Sequence, residues 1–220
     1  SVDFGGEFGM AQCSPNYFED TQEDPVPHTA STLDLKDLSD KQKIRNGGLV
    51  IYNTGNYKGQ HTVYVEGDVF IGSNIEYDQS EYARKIPQFT LIAKGNIYIG
   101  SNVTQLDGLY IAQPGTDNSN GEIYTCRTIL GPQVSPSNMD NLCNRQLTIY
   151  GAFIAKKVHF LRTFGSLRES SRTNEAATRG RAAEVFCFSP EMDLAEPALR
   201  SNGSSATGNY DSVITLPPVL

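Results

Sequence analysis

Three stretches of the chain repeat one strand-like alternation, the first two as close copies and the third as a looser one. They are Val63-Tyr64-Val65-Glu66-Gly67-Asp68-Val69-Phe70-Ile71, Leu91-Ile92-Ala93-Lys94-Gly95-Asn96-Ile97-Tyr98-Ile99 and Leu147-Thr148-Ile149-Tyr150-Gly151-Ala152-Phe153-Ile154-Ala155. Side chains alternate between the two faces of a strand, so Val63, Val65, Val69 and Ile71 share one face. Leu91, Ala93, Ile97 and Ile99 do the same, as do Leu147, Ile149, Phe153 and Ala155. The central glycines, Gly67, Gly95 and Gly151, stand 28 and then 56 residues apart. One strand-like unit recurring at related spacings predicts coils that bury their apolar faces against their neighbours. Leu106 to Ala112 and Val158 to Leu161 read as further strands, and Gly-Ser-Asn before Ile75 and before Val103 supplies corner residues.

The predicted fold is all-β: a short parallel β-helix, or β-solenoid, with loop insertions, a small capping helix and an extended C-terminal tail. A β-sandwich with similar strands is the competing architecture. Residues 1–48 form a polar segment and cap, 49–200 the β-helix, and 201–220 a linker and apolar arm. Ser39 to Gln42 fits a capping box whose helix ends at Asn46-Gly47-Gly48, so Leu49 to Tyr52 is the expected first strand. If the coils stack in register, Glu66 falls beside Lys94, and Phe70, Tyr98 and Ile154 form an outward apolar column that another segment or subunit covers. The tail ends in Val213, Ile214, Leu216, Val219 and Leu220, with two prolines between Leu216 and Val219. Its expected use is to pack on its own coils or to reach a neighbouring copy.

Composition narrows the function. The net charge of −7 disfavours a nucleic-acid or anionic-membrane partner. Eleven Tyr and twenty Gly suit an extracellular, loop-rich β protein. No apolar run reaches the roughly 20 residues of a membrane span, and the lack of an initiating Met points to a processed or truncated N-terminus. Cys126 and Cys143 bracket a Pro/Ser/Asn-rich insertion and are expected to be bonded; Cys13 then pairs with Cys187 by elimination, free thiols being the alternative. His28, His61 and His159 are scattered and no Cys-x-x-Cys occurs, so neither a metal nor a cofactor is expected. The acidic knot Glu19, Asp20, Glu23 and Asp24 and the loop around Asp117 read as solvated turns rather than calcium sites. Five arginines (162, 168, 172, 179 and 181) offer an anion or glycan patch, against the plainer reading of a solvated loop.

Gly95 to Ile99, Leu106 to Gln113, Leu147 to Ala155, Ala183 to Phe186, Phe188 to Met192 and Leu216-Pro217-Pro218 together resemble the extracellular part of uncharacterised surface proteins of candidate-phylum bacteria. Those proteins are loosely grouped with type IV pilus-assembly accessory proteins, and more distantly the repeat is similar to bactofilin-like, polymer-forming β-helices. The resemblance implies a secreted or cell-surface β-helix assembled into a polymer, and it carries over no catalytic residue; the expected partners are copies of the chain itself, with surface glycans or another cell as further candidates. The expected function is a non-enzymatic structural protein, a filament subunit or pilus-associated adhesion module. The alternative is a carbohydrate-active β-helix in which Asp68, Asp107 or Arg162, with Lys94 and His159 nearby, does the chemistry.

Overall fold

A computed structural model of the chain describes residues 26–38, 43–82, 85–115, 119–128, 142–164 and 182–194. These residues form thirteen strands, two short 3₁₀ turns and one α-helical turn, Glu191–Leu194. The strands are β1 (Val26–Pro27), β2 (Thr32–Asp34), β3 (Lys43–Asn46), β4 (Leu49–Tyr52), β5 (Gln60–Glu66), β6 (Val69–Ile71) and β7 (Gln88–Ala93). They continue as β8 (Ile97–Gly100), β9 (Gln105–Ala112), β10 (Glu122–Arg127), β11 (Leu147–Ala155), β12 (Lys157–His159) and β13 (Glu184–Cys187).

All pairings between named strands are parallel, and they build two sheets. Odd-numbered strands form a seven-stranded sheet in the order β1-β3-β5-β7-β9-β11-β13, and even-numbered strands a six-stranded sheet in the order β12-β10-β8-β6-β4-β2. Each strand therefore hands the chain to the opposite sheet. The expected core faces are the core faces: Val63, Val65, Val69, Ile71, Leu91, Ala93, Ile97, Ile99, Leu147 and Ile149 belong to one buried cluster, with Phe153 and Ala155 packed against it. Val69 lies opposite Ile97.

The turn from one sheet to the other is a column of glycines. A Cβ on Gly95 would meet the Gly67 backbone at 2.5 Å, and one on Gly67 would meet the Gly47 backbone at 2.8 Å. Asp68 locks this corner by accepting the Asn96 amide at 2.8 Å, while the Val69 amide donates to the Asn96 carbonyl at 2.8 Å. A side chain in the column would push two backbones apart.

Gly47 was expected to end a helix. Instead Lys43–Asn46 is strand β3, paired residue for residue with Lys43↔Val63 through Asn46↔Glu66. The segment is thus an earlier copy of the repeat, and the sheets begin at Val26, ahead of the predicted first strand at Leu49. Its charges hid it. Lys43 and Arg45 occupy the positions of Val63 and Val65, and near the edge of the sheet Arg45 turns its guanidinium to the carbonyls of Gly48 and Thr29. Residues 39–42 of the capping box lie outside the described residues.

The third copy also sits differently. Gly151 pairs with Gly108 in mid-strand, and Ala155 stands on Ala112, itself opposite Ala93. Across the corner Val158 stands level with Ile123 and Ile97, so Lys156 and Lys157 take the places of Gly95 and Asn96. At Gly108, with φ +118°, the long strand β9 bends: residues before it bridge towards Ile75, and residues after it pair with β7.

Gly95→Ala is expected to destabilise the fold by about 1–3 kcal/mol in urea unfolding, as overpacking does. Gly48→Ala, whose added Cβ would meet only an ordinary contact at 3.7 Å, is the control and should change little.

Candidate functional site

The parallel register splits the expected outward column in two. On the six-stranded sheet Phe70 lies opposite Tyr98 as expected, but the ladder continues to Tyr124 and His159. Ile154 belongs to the other sheet, in register with Ile111, Ile92 and Tyr64. That second column is the well-covered one. Tyr64 and Ile92 are almost fully buried on the face away from the core, whereas Ile154 is 38% exposed. The aromatic ladder is half-exposed. Tyr98 and Tyr124 stack at 5.1 Å, Tyr124 and His159 at 4.2 Å, and the Arg127 guanidinium caps Tyr98 at 3.9 Å. Glu122 accepts hydrogen bonds from the Tyr124 hydroxyl at 2.6 Å and pairs with His159 at 2.8 Å. Those contacts hold Glu122 below the usual carboxylate range, and burial with the Glu122 contact pushes Tyr124 up to about 12.

The residues weighed for catalysis have separate partners. Asp68 serves the glycine corner. Arg162 is buried, and its guanidinium donates to the carbonyls of Thr125 (2.6 Å), Ser101 (2.9 Å) and Gly100 (2.7 Å). It clamps the ends of β8 and β10 to the segment after β12. Burial lowers its pKa to about 10, with Glu184 opposing, so it stays charged at neutral pH. Its fork geometry explains why an arginine is needed there. Of the other arginines, 168, 172, 179 and 181 lie outside the described residues, as do the acidic knot, Asp117 and the tail positions 213, 214, 216, 219 and 220.

Cys126 and Cys143 are joined, Cα to Cα 5.9 Å, and both are buried. Cys187 is a half-buried free thiol, and Cys13 lies outside the described residues. Among the described residues no group of three His, Cys, Asp or Glu side chains could hold a metal ion, and no helix is long and apolar enough to cross a membrane.

Two surface features were not apparent from the alternation. The first is an aromatic patch at the β11–β13 end of the fold. Phe186 meets Phe153 at 5.1 Å and Phe160 at 6.1 Å, both edge to face, and Phe153 packs against the main core. Phe186 and Phe160 remain 45% and 58% exposed. The second is a cleft of about 610 Å³ between the turn Glu76 to Tyr82, the start of β9 and the segment Phe188 to Glu191. Asp107, on its floor, is buried and accepts from the Tyr77 amide (2.7 Å) and the Gln105 amide group (3.0 Å). Burial raises its pKa despite those bonds. Across the cleft, Tyr82 and Ser189 hydroxyls donate to the two oxygens of Glu191 at 2.7 and 2.6 Å. Burial pushes Glu191 up, but these two donors outweigh it and leave the carboxyl below its usual range.

No family model, curated protein or solved structure matches the chain.

Arg162→Lys keeps the charge but lacks the fork, and Arg162→Ala removes the three guanidinium bonds and should cost about 1–3 kcal/mol or more. Thermal unfolding should rank wild type above Lys above Ala; equal melting temperatures would refute the clamp. Reducing Cys126–Cys143 should lower stability by about 3 kcal/mol in the chain-entropy picture, read as a drop in unfolding midpoint with reductant that a Cys126→Ser/Cys143→Ser variant no longer shows.

Proposed function

We propose that the chain is a short β-solenoid with a structural, non-enzymatic role: a subunit of a cell-surface filament, or a pilus-associated adhesion module, joined to copies of itself. The coil reading rests on strict hand-over between two parallel sheets around one continuous core. The assembly reading rests on a single observation, the aromatic patch of Phe153, Phe160 and Phe186 at the β11–β13 end. Phenyl groups continuous with a core and this exposed mark a surface awaiting a partner. The partner is a second copy, which would bring either its β1–β2 end or its apolar arm, Val213 to Leu220, to cover the patch.

The extracellular setting follows from the same chemistry. The Cys126–Cys143 bond persists where thiols are not kept reduced, and the likeness to bacterial surface β-helices points the same way.

Light scattering after gel filtration, with electron microscopy of concentrated protein, tests the assembly. Wild type should form oligomers or filaments, Phe160→Asp/Phe186→Asp should be monomeric with unchanged circular dichroism, and deletion of residues 213–220 should weaken assembly if the arm is the covering element. A wild type that stays monomeric at every concentration would overturn the reading.

A further inference from the structure

The aromatic patch leaves the cleft beside Glu191 unexplained, and its chemistry differs. Its walls carry the carboxylates of Glu76, Asp78, Asp107 and Glu191 with the amides of Asn56 and Gln105, and no Lys, Arg or His is among its described lining residues. Its rim carries rings. Phe188 is 77% exposed, Tyr150 41% and Tyr82 37%.

We propose that this cleft binds a neutral, hydroxyl-rich oligosaccharide segment. The argument is one of matching. A pyranose chain presents an apolar C–H face and a ring of hydroxyl donors. Phe188, Tyr150 and Tyr82 offer apolar faces at the rim, and the walls offer acceptors. An acceptor-rich wall whose neighbouring cation, Lys58, is already paired with Asp78 and Glu81 disfavours anionic ligands. The volume of about 610 Å³ lies within the range of small-ligand sites.

The acceptors are held in place before any ligand arrives. Glu191 is fixed by two hydroxyls, Tyr82 and Ser189, the kind of donor a sugar brings, and each of its oxygens retains a further lone-pair site. Asp78 is held by Lys58 at 3.2 Å and by the Ser80 hydroxyl at 2.7 Å. Asp107 has both oxygens engaged inside the protein, so it shapes the floor rather than reaching the sugar. The Tyr82–Glu191 bond also ties the turn after β6 to the segment after β13. Fixed acceptors reduce the ordering cost of binding.

The site is independent of self-assembly, because the assembly patch uses Phe153, Phe160 and Phe186 and the cleft uses Phe188 and Glu191. The test is a ligand-observed and amide-shift NMR titration of the whole chain with cellotetraose, the N-acetylglucosamine tetramer and mannotetraose. The expected result is saturable binding of at least one tetraose, with amide shifts at Ser80, Tyr82 and Glu191. Phe188→Ala and Glu191→Gln should each weaken it at least tenfold, with melting temperatures unchanged. The assembly-deficient Phe160→Asp/Phe186→Asp variant should bind as wild type does. Failure of all three tetraoses to bind, or binding unaffected by both cleft substitutions, would overturn the proposal.

Discussion

Parallel pairing places like above like, and nearly everything in this molecule follows from that constraint. A residue in one strand has its counterpart directly above it in the next, so a single unsuitable side chain is repeated as a clash or an orphan along the stack. The core answers with β-branched and aliphatic residues that nest, Val69 on Leu49 and Ile97 on Val69. The corner answers with glycine, because there the neighbour is backbone. The outward faces answer by stacking rings or by pairing acceptors with donors. Pleated spacing of about 4.8 Å makes ring stacking natural along such a column.

Much of this was legible from alternation alone. Counting every second residue from Val63, Leu91 and Leu147 finds the core, because the interior tolerates only one kind of side chain. The Cys126–Cys143 bond was legible too, since two cysteines flanking an insertion are brought together when the flanking strands return to the fold. What alternation could not supply was register. Aligning the third copy on Gly151 matches a glycine of the mid-strand bend with glycines of the corner, whereas Ala155 is the residue level with Ala93. Ile154 was thereby assigned to the wrong sheet, and the aromatic ladder lost Tyr124 and His159. The alanines, Ala93, Ala112 and Ala155, were the better guide, because they pair in register across β7, β9 and β11.

The missed strand β3 has a different cause. A core position near the edge of a sheet is not fully a core position, so Lys43 and Arg45 are tolerated where Val63 and Val65 stand one level further in. The hydrophobic signal fades where the stack begins, while the geometric one does not: Gly47 still falls in line with Gly67 and Gly95. Arg162 was missed for the opposite reason. It looked like a surface cation in a run of arginines, whereas its place is inside, where its guanidinium reaches the carbonyls of Thr125, Ser101 and Gly100. Nothing in a linear sequence marks which arginine of several will turn inward.

Among the described residues, the two ends of the stack differ chemically. At its start, polar and charged groups close over the chain: Asp34 is anchored by Thr54 and Lys36, and Arg45 by two carbonyls. At its finish, Phe160 and Phe186 face water. If the molecule were built only to remain single, the polar solution used at the first end would serve equally well at the second. Keeping phenyl groups exposed there is unfavourable in water, and Phe153, Ala155 and Val158 already pack against the core from this end. On the proposed assembly, the finish of one stack would be covered by another chain, which removes that cost. The same logic separates the cleft from the patch: one surface is wholly apolar and suited to protein, the other sets rings beside carboxylates and suits a ligand that is itself half apolar and half hydroxyl.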